Sequence, residues 1–306
     1  MNLTSKNQTK LHGLENYFNE LKELYDKDKL PNKILLSGLK GIGKCTLAYH
    51  LINYILSKDE DNKYDLQSFI INSENRSYKL IQNQTNPNFH LIDVSLDKKT
   101  IDIEQIRSLI INLNKSSFNS KPRFVLIDNI EFLNLSSINA LLKILEEPNS
   151  NVYFILIHNN KKVISTLLSR CLNFKIFLNN KKIDEINKSL FKQDNKDLIN
   201  DDLIDYYFTP GKLFNLLKIS NEKKIDLINI DLKSLISLLI SESYYKKDDK
   251  IKNLLYELVE FYLLKKISVF YSDLSSYFLK RMNDCKKFNL DEESLFLEIN
   301  SKLLNE

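Results

Sequence analysis

This 306-residue sequence has little from which to build a metal cage, a membrane anchor or a secretion signal. Its three cysteines, Cys45, Cys171 and Cys285, are far apart and odd in number. They suit reduced thiols in a cytosol and cannot make a four-cysteine zinc site. No run of about 18 apolar residues is available to span a bilayer. The start, Met1-Asn2-Leu3-Thr4-Ser5-Lys6, lacks the apolar stretch of a signal peptide, so a cytoplasmic location is expected. Arginine is scarce too: only Arg76, Arg107, Arg123, Arg170 and Arg281 stand among 44 basic residues. Each is a candidate for work that needs a planar five-donor fork, since lysine is the easy substitute elsewhere. The net charge of +4, from 44 basic and 40 acidic residues, permits contact with nucleic acid without arguing for it. With 43% apolar and 27% charged residues, the chain reads as a soluble globular protein of two or three domains.

Glycine is equally sparse, five in all, yet Gly38, Gly41 and Gly43 crowd into the run Gly38-Leu39-Lys40-Gly41-Ile42-Gly43-Lys44-Cys45-Thr46. An apolar strand candidate (Ile34, Leu35, Leu36) precedes it and a helical pattern (Leu47, Leu51, Ile52, Ile55) follows, the context of a phosphate-binding loop. Glycines there let backbone N–H groups approach phosphates, the helix N-terminus favours negative charge, and Lys44 supplies a point charge for the β- and γ-phosphates. Position 45 breaks the pattern. A hydroxyl belongs there to hold Mg²⁺, a hard cation that prefers oxygen to the sulfur of Cys45. Thr46 is one residue further along the helix and so turned by about 100°. The loop is expected to keep its shape and to lack part of its chemistry.

Along the chain, a first helix over 14–28 precedes alternating strand and helix candidates, which imply a parallel sheet covered on both faces. The strands are expected at Lys33–Ser37, His90–Val94, Arg123–Asp128, Val152–Ile157 and Asn173–Phe177, each a short apolar run. Residues 57–88 read as a peripheral helical insertion. Beyond Asn179 only helices are expected: two or three short ones over 181–220, broken at Thr209-Pro210-Gly211. A longer helical region follows over 222–306, with apolar sets Leu235/Leu238/Leu239, Leu254/Leu258/Tyr262 and Leu295/Ile299/Leu303. Its aromatics, Tyr244, Tyr245, Tyr256, Phe261, Tyr262, Phe270 and Tyr271, read as core or subunit interface.

Three further constellations stand out. Phe124-Val125-Leu126-Ile127-Asp128 is an apolar strand ending in an acid, the position from which P-loop proteins hold Mg²⁺ through water. The next residue, Asn129, has an amide that cannot accept a proton, and Glu131 is expected to point away. Ile138, Leu141, Leu142 and Leu145 mark a core-facing helix that Pro148 stops near Glu147. Ser169-Arg170-Cys171 follows the helical run Val163, Ile164, Leu167, Leu168; its plain reading is an arginine facing a helix C-terminus.

Together with Leu11-His12-Gly13 and Asn86-Pro87-Asn88-Phe89-His90, the order of glycine loop, Asp-ended strand, Ala140-Leu141-Leu142-Lys143-x-Leu145-Glu146-Glu147-Pro148 and Ser169-Arg170-Cys171 resembles the clamp-loader AAA+ family of bacterial DNA replication. The resemblance covers residues 10–178, and Thr209-Pro210-Gly211-Lys212 is similar to the family's lid. It implies an α/β P-loop NTPase (AAA+) domain over 1–178, a small helical lid over 179–220 and an all-α collar over 221–306. It implies a subunit of the DNA polymerase III assembly that closes a sliding clamp around primed DNA. Partners would be gamma/tau ATPase and delta subunits, the beta clamp and primer-template DNA. Nucleotide binding falls to Gly38, Gly41, Gly43, Lys44, Cys45, Thr46 and Asp128. Arg170 becomes a finger reaching a neighbour's ATP, a contribution of ~10³ to 10⁵ in rate. Lys212 stands where active members carry a γ-phosphate-sensing arginine. Arg107 and Lys115, on a helix over 102–114 with Ile103, Ile106 and Ile110 on one face, would approach DNA; a solvated helix face is the competing reading. The zinc module of many relatives is excluded, because 57–88 holds no cysteine, and no other metal is expected. ATP or ADP bound without turnover is the cofactor expectation. An active motor subunit of gamma/tau type and a P-loop nucleoside or nucleotide kinase stay open as alternatives.

Overall fold

The computed structural model describes residues 4–95, 98, 100–115, 119–147, 151–159, 165–192, 197–204, 209–265, 272–288 and 290–304. Pro148, Val163, Ile164, Phe270 and Tyr271 lie outside the described residues. The chain divides into two units, 1–189 with 209–212, and 190–208 with 213–306.

In the first unit five parallel strands, β1 (Lys33–Ser37), β2 (Phe89–Ile92), β3 (Arg123–Ile127), β4 (Val152–His158) and β5 (Leu172–Lys175), form one sheet in the order β2-β3-β4-β1-β5. Strand β2 begins one residue earlier than the sequence suggests and ends at Ile92, and β5 runs 172–175 rather than 173–177. Side chains on one face of the sheet, Leu35, Val125, Ile127, Phe154 and Leu156, are buried with Ile106, Leu109 and Leu113 of α4 (Ile103–Leu113) and Ile138, Leu141 and Leu145 of α5 (Leu135–Glu146). The intervening residues Ile34, Leu36, Phe124, Leu126 and Ile155 point the other way by strand alternation and are equally buried. On α4 the inward stripe is therefore Ile106, Leu109 and Leu113, with Ile103 and Ile110 only half-buried. The turn into α4 is a capping box, in which Asp102 accepts from the Gln105 backbone N–H and the Gln105 side chain accepts from Asp102 N–H.

Helix α1 (Glu15–Asp26) packs on α2 (Lys44–Leu56). The insertion over 57–88 contributes one short helix, α3 (Arg76–Gln82), after which the chain enters the β2 edge strand. Its anchor is Asn75, fully buried, which caps α3 by accepting from Tyr78 N–H, accepts from Asn53 Nδ2 of α2 and donates to the Asn62 carbonyl. Between β4 and β5 lies α6 (Ser165–Leu168), and beyond β5 come α7 (Asn180–Phe191), α8 (Asp201–Ile204) and α9 (Pro210–Lys223).

The second unit is helical throughout its described residues: α10 (Leu232–Ser241), α11 (Tyr244–Lys247), α12 (Asp249–Lys265), α13 (Ser272–Phe288) and α14 (Glu292–Ile299) share one core with α8 and with Leu213, Leu216 and Ile219 of α9. Tyr245 and Tyr256 both pack against Phe296, with ring centroids 4.8 and 5.0 Å away. The contacts thus divide the chain elsewhere than at 178 and 220: α7 goes largely with the sheet, and most of α9 with the collar helices. Among the described residues no helix is long and apolar enough to cross a membrane.

Candidate nucleotide-binding site

Because every strand runs the same way, their carboxyl ends meet along one edge of the sheet, where ligands of open α/β folds bind. Gly38 follows β1, Asp93 follows β2, Asp128 and Asn129 follow β3, and Asn159 comes just after β4. The pairing Ile92↔Ile127 brings Asp93 alongside Asp128.

The loop from Gly38 to Gly43 is shaped by its glycines. At Gly38 (φ +153°) a Cβ would sit 2.4 Å from the Ile176 carbonyl, and at Gly41 (φ +86°) it would sit 2.7 Å from Thr209 Oγ1. The lid sequence Thr209-Pro210-Gly211-Lys212 lies directly on this loop: Gly211 N–H donates to the Gly41 carbonyl at 2.9 Å, so neither glycine has space for a side chain. Gly43, also left-handed, precedes the first residue of α2. Lys44 is buried, and its ammonium donates to the Gly38 and Leu39 carbonyls (2.9 and 2.6 Å) and to Asn159 Oδ1 (2.9 Å). Burial lowers its pKa to about 8, against the opposing pull of Asp128 and Glu131.

Cys45 and Asp128 are brought together: the thiol hydrogen-bonds the Asp128 carboxylate and also meets Ser5. Burial pushes the thiol pKa well up, and Asp128 adds to the effect. Burial likewise pushes Asp128 up to about 6, with Asp93 reinforcing it. The strand-end acid expected to hold Mg²⁺ through water thus faces sulfur where a metal-binding loop offers a hydroxyl. Thr46 is half-buried at the third position of α2.

Asn129 sits in the left-handed region (φ 56°), which an asparagine tolerates. Its Nδ2 donates to Asp93 Oδ1 at 2.9 Å, and its Oδ1 accepts from Asn159 Nδ2 at 3.0 Å. Glu131 departs from the sequence expectation. The turn Ile130–Phe132 carries it back, and its Oε1 accepts from Asn159 Nδ2 at 2.9 Å while Oε2 is buried without a partner. Asn159 is therefore the hub, bonded to Lys44, Asn129 and Glu131; the sequence reading missed it and Asp93. The available signal was positional, a polar residue directly after an apolar strand, repeated at 93, 128 and 159.

Arg170 lies apart from this network. It follows α6, and its Nη1 donates to the Thr166 carbonyl (2.8 Å), which also accepts from Ser169 Oγ (3.1 Å). Its Nη2 donates to Glu146 Oε1 at 2.6 Å, so the Ser-Arg-Cys and Leu-Glu-Glu segments meet. Cys171 turns inward against the sheet core, and burial raises its thiol to about 11. Lys212 takes part through the backbone, its N–H donating to the Thr209 carbonyl beside Gly41. Arg107 and Lys115 stay outside the site on α4 and just past its end, Arg107 paired with Glu104 (2.8 Å) and Lys115 donating to Asn112 (2.9 Å).

A parallel sheet in this strand order, with a glycine loop after the inner strand β1 and an acid at the next-but-one strand end, defines an α/β P-loop protein of the AAA+ type with a helical C-terminal region. A family model described as "DNA polymerase III, delta subunit" matches residues 13–179, and the chain belongs to that family. A DNA polymerase III subunit delta prime of Buchnera aphidicola (subsp. Baizongia pistaciae) is 31% identical over 153 residues, 48% of this chain and 44% of the relative. The subunit gamma of Buchnera aphidicola (subsp. Schizaphis graminum) is 32% identical over 149 residues, 48% of this chain and 39% of the relative. The delta prime subunit of Escherichia coli is 26% identical over 155 residues, 50% and 45% of the two chains. The aligned stretch spans under half the length of these relatives. The crystal structure of a DNA polymerase III gamma subunit-related protein from Thermotoga maritima shares the fold, with a TM-score of 0.55 at 16% identity over 93% of this chain and 97% of that one.

Proposed function

We propose that this chain is a delta-prime-type clamp-loader subunit of the DNA polymerase III holoenzyme, which helps load the beta sliding clamp onto primed DNA. The observation that carries this reading is the family match over 13–179, which contains both the glycine loop and Ser169-Arg170-Cys171. In this reading the chain works beside gamma/tau ATPase and delta subunits in the cytoplasm, and its own loop holds ATP or ADP without turnover. Lys44 would meet the β/γ-phosphates and α2 the phosphate charge, while Cys45 offers no hard ligand to Mg²⁺ and Asn129 no base to water. Arg170 would serve as the finger in a neighbour's ATP site. Labelled-ATP binding by the pure chain, followed by co-purification with the beta clamp and the other loader subunits, tests it. Failure to enter the complex removes the proposal.

A second reading, an active motor of gamma/tau type, draws on the 32% identity to a gamma subunit and on Glu131, whose carboxylate reaches the Asn159 hub. The two readings part over hydrolysis. The first expects no ATPase above background from the isolated chain, and steady turnover abolished by Lys44→Ala would favour the second.

A further inference from the structure

The ion pair between Arg170 and Glu146 has no evident purpose in stability. Arg170 keeps 31% of its side-chain surface exposed and Glu146 55%, and pairs this open contribute little. Glu146 is also the last residue of α5, where the helix dipole disfavours a carboxylate. A residue placed against its own helix and paired across an open surface is explained by what it does to its partner.

The end of α5 is a rigid base for such a role. Lys33 Nζ of β1 donates to the Leu145 carbonyl at 3.1 Å, tying the last turn to an inner strand of the sheet. Leu145 is itself fully buried in the sheet core. On the other side, the Thr166 carbonyl takes one donor of the guanidinium and the Ser169 hydroxyl. Arg170 is thereby held at two points, Nη1 on α6 and Nη2 on α5, while a five-donor fork keeps hydrogens for a third group.

We infer that Glu146 is a positioning residue: it fixes the rotamer of Arg170 so that the remaining donors face outward, ready for a phosphate presented by a neighbouring subunit. The inference rests on the finger role proposed above. It adds that the second conspicuous segment, Leu145-Glu146-Glu147, exists in part to aim the first.

The test uses complexes reconstituted with gamma/tau and delta subunits, beta clamp and primed DNA, with single-turnover ATP hydrolysis resolved at the site this chain serves. Glu146→Ala is expected to lower the maximal rate there by about tenfold to a hundredfold, the scale of a misplaced catalytic group, with KM for ATP unchanged. Glu146→Gln, which keeps an acceptor oxygen, is expected to recover part of the loss. Adding Glu146→Ala to Arg170→Ala should cost nothing further, because the two act as one unit. Assembly by gel filtration and the melting temperature should match the unsubstituted protein in every case. A slow Arg170→Ala complex with a full-rate or faster Glu146→Ala complex overturns this inference alone, as do additive losses. A full-rate Arg170→Ala complex overturns the finger reading and this inference together.

Discussion

Burial beside Asp93 gives the folded Asp128 carboxyl a pKa of about 6, against about 3.9 for an ordinary aspartate. Between those values the folded chain holds a proton that the unfolded chain has released, so this residue's contribution to stability falls as pH rises through about 4 to 6 and stays low above it. Asp128→Asn keeps acceptors for Cys45 and Asn129 N–H and removes the cost. It is expected to stabilise the protein by on the order of 1 kcal/mol at pH 7.5, a gain that vanishes by pH 4, read from urea melts across that range. A second prediction concerns the close approach of loop and lid. Gly41→Ala would force a Cβ to within 2.7 Å of Thr209 Oγ1 and 3.2 Å of the Gly211 Cα, at a left-handed backbone. A loss of about 1–3 kcal/mol by denaturant titration is expected. The glycines, Lys44, Cys45 and Asp128 were legible in sequence because that loop needs those residue types in contiguous order. Asp93, Glu131 and Asn159 were not, because what joins them is adjacency of strand ends, which depends on sheet order rather than on spacing.

Elements with a clear period declared themselves. Helices α4 and α5 were legible from their apolar repeats and from Pro148, and all five strands start within a residue of their sequence positions because β-rich apolar runs have sharp edges. The insertion over 57–88 resisted, since what fixes it is buried amide rather than apolar surface. Asn75 is the central case: its side chain serves a helix cap, α2 and the Asn62 carbonyl at once. Asn75→Ala is expected to cost about 2–3 kcal/mol, because a lost cap and orphaned buried partners add. Hydrogen exchange should show α3 opening before the sheet, and uniform protection loss across β1–β4 would contradict that. Asn88 is a second such residue, donating to Asn119 Oδ1 and the Lys121 carbonyl, and so tying the approach to β2 to the approach to β3.

For the whole chain, the sequence indicated a sheet module followed by helices but misjudged where α9 belongs. Its Gly211 lies on the glycine loop, whereas Leu213, Leu216 and Ile219 are buried with the collar helices. A break at 220 would strip these three of their core and leave an apolar stripe in water. Truncation after Ser189 is therefore expected to give a soluble, cooperatively unfolding protein, and truncation after Ser220 one that self-associates. Sedimentation velocity and circular dichroism on both compare them, and equal solubility would mean that α9 does not depend on the collar helices. If the proposed loader role holds, neither fragment is expected to join that complex, since both lack the helices after α9.

Positions 45 and 129 differ in how easily each could take the residue that hydrolysis needs. At 45 a change to serine exchanges one atom, sulfur for oxygen, in a side chain whose bonds to Asp128 and Ser5 a hydroxyl can also make. At 129 a glutamate would enter a left-handed backbone, forfeit the amide donor to Asp93, and add a negative charge where Asp93, Asp128 and Glu131 already gather. The two positions are thus unequally open to change, one free and one locked by its neighbours. A serine at 45 would supply a hard metal ligand in a single step, whereas a base at 129 would need changes in its neighbours first.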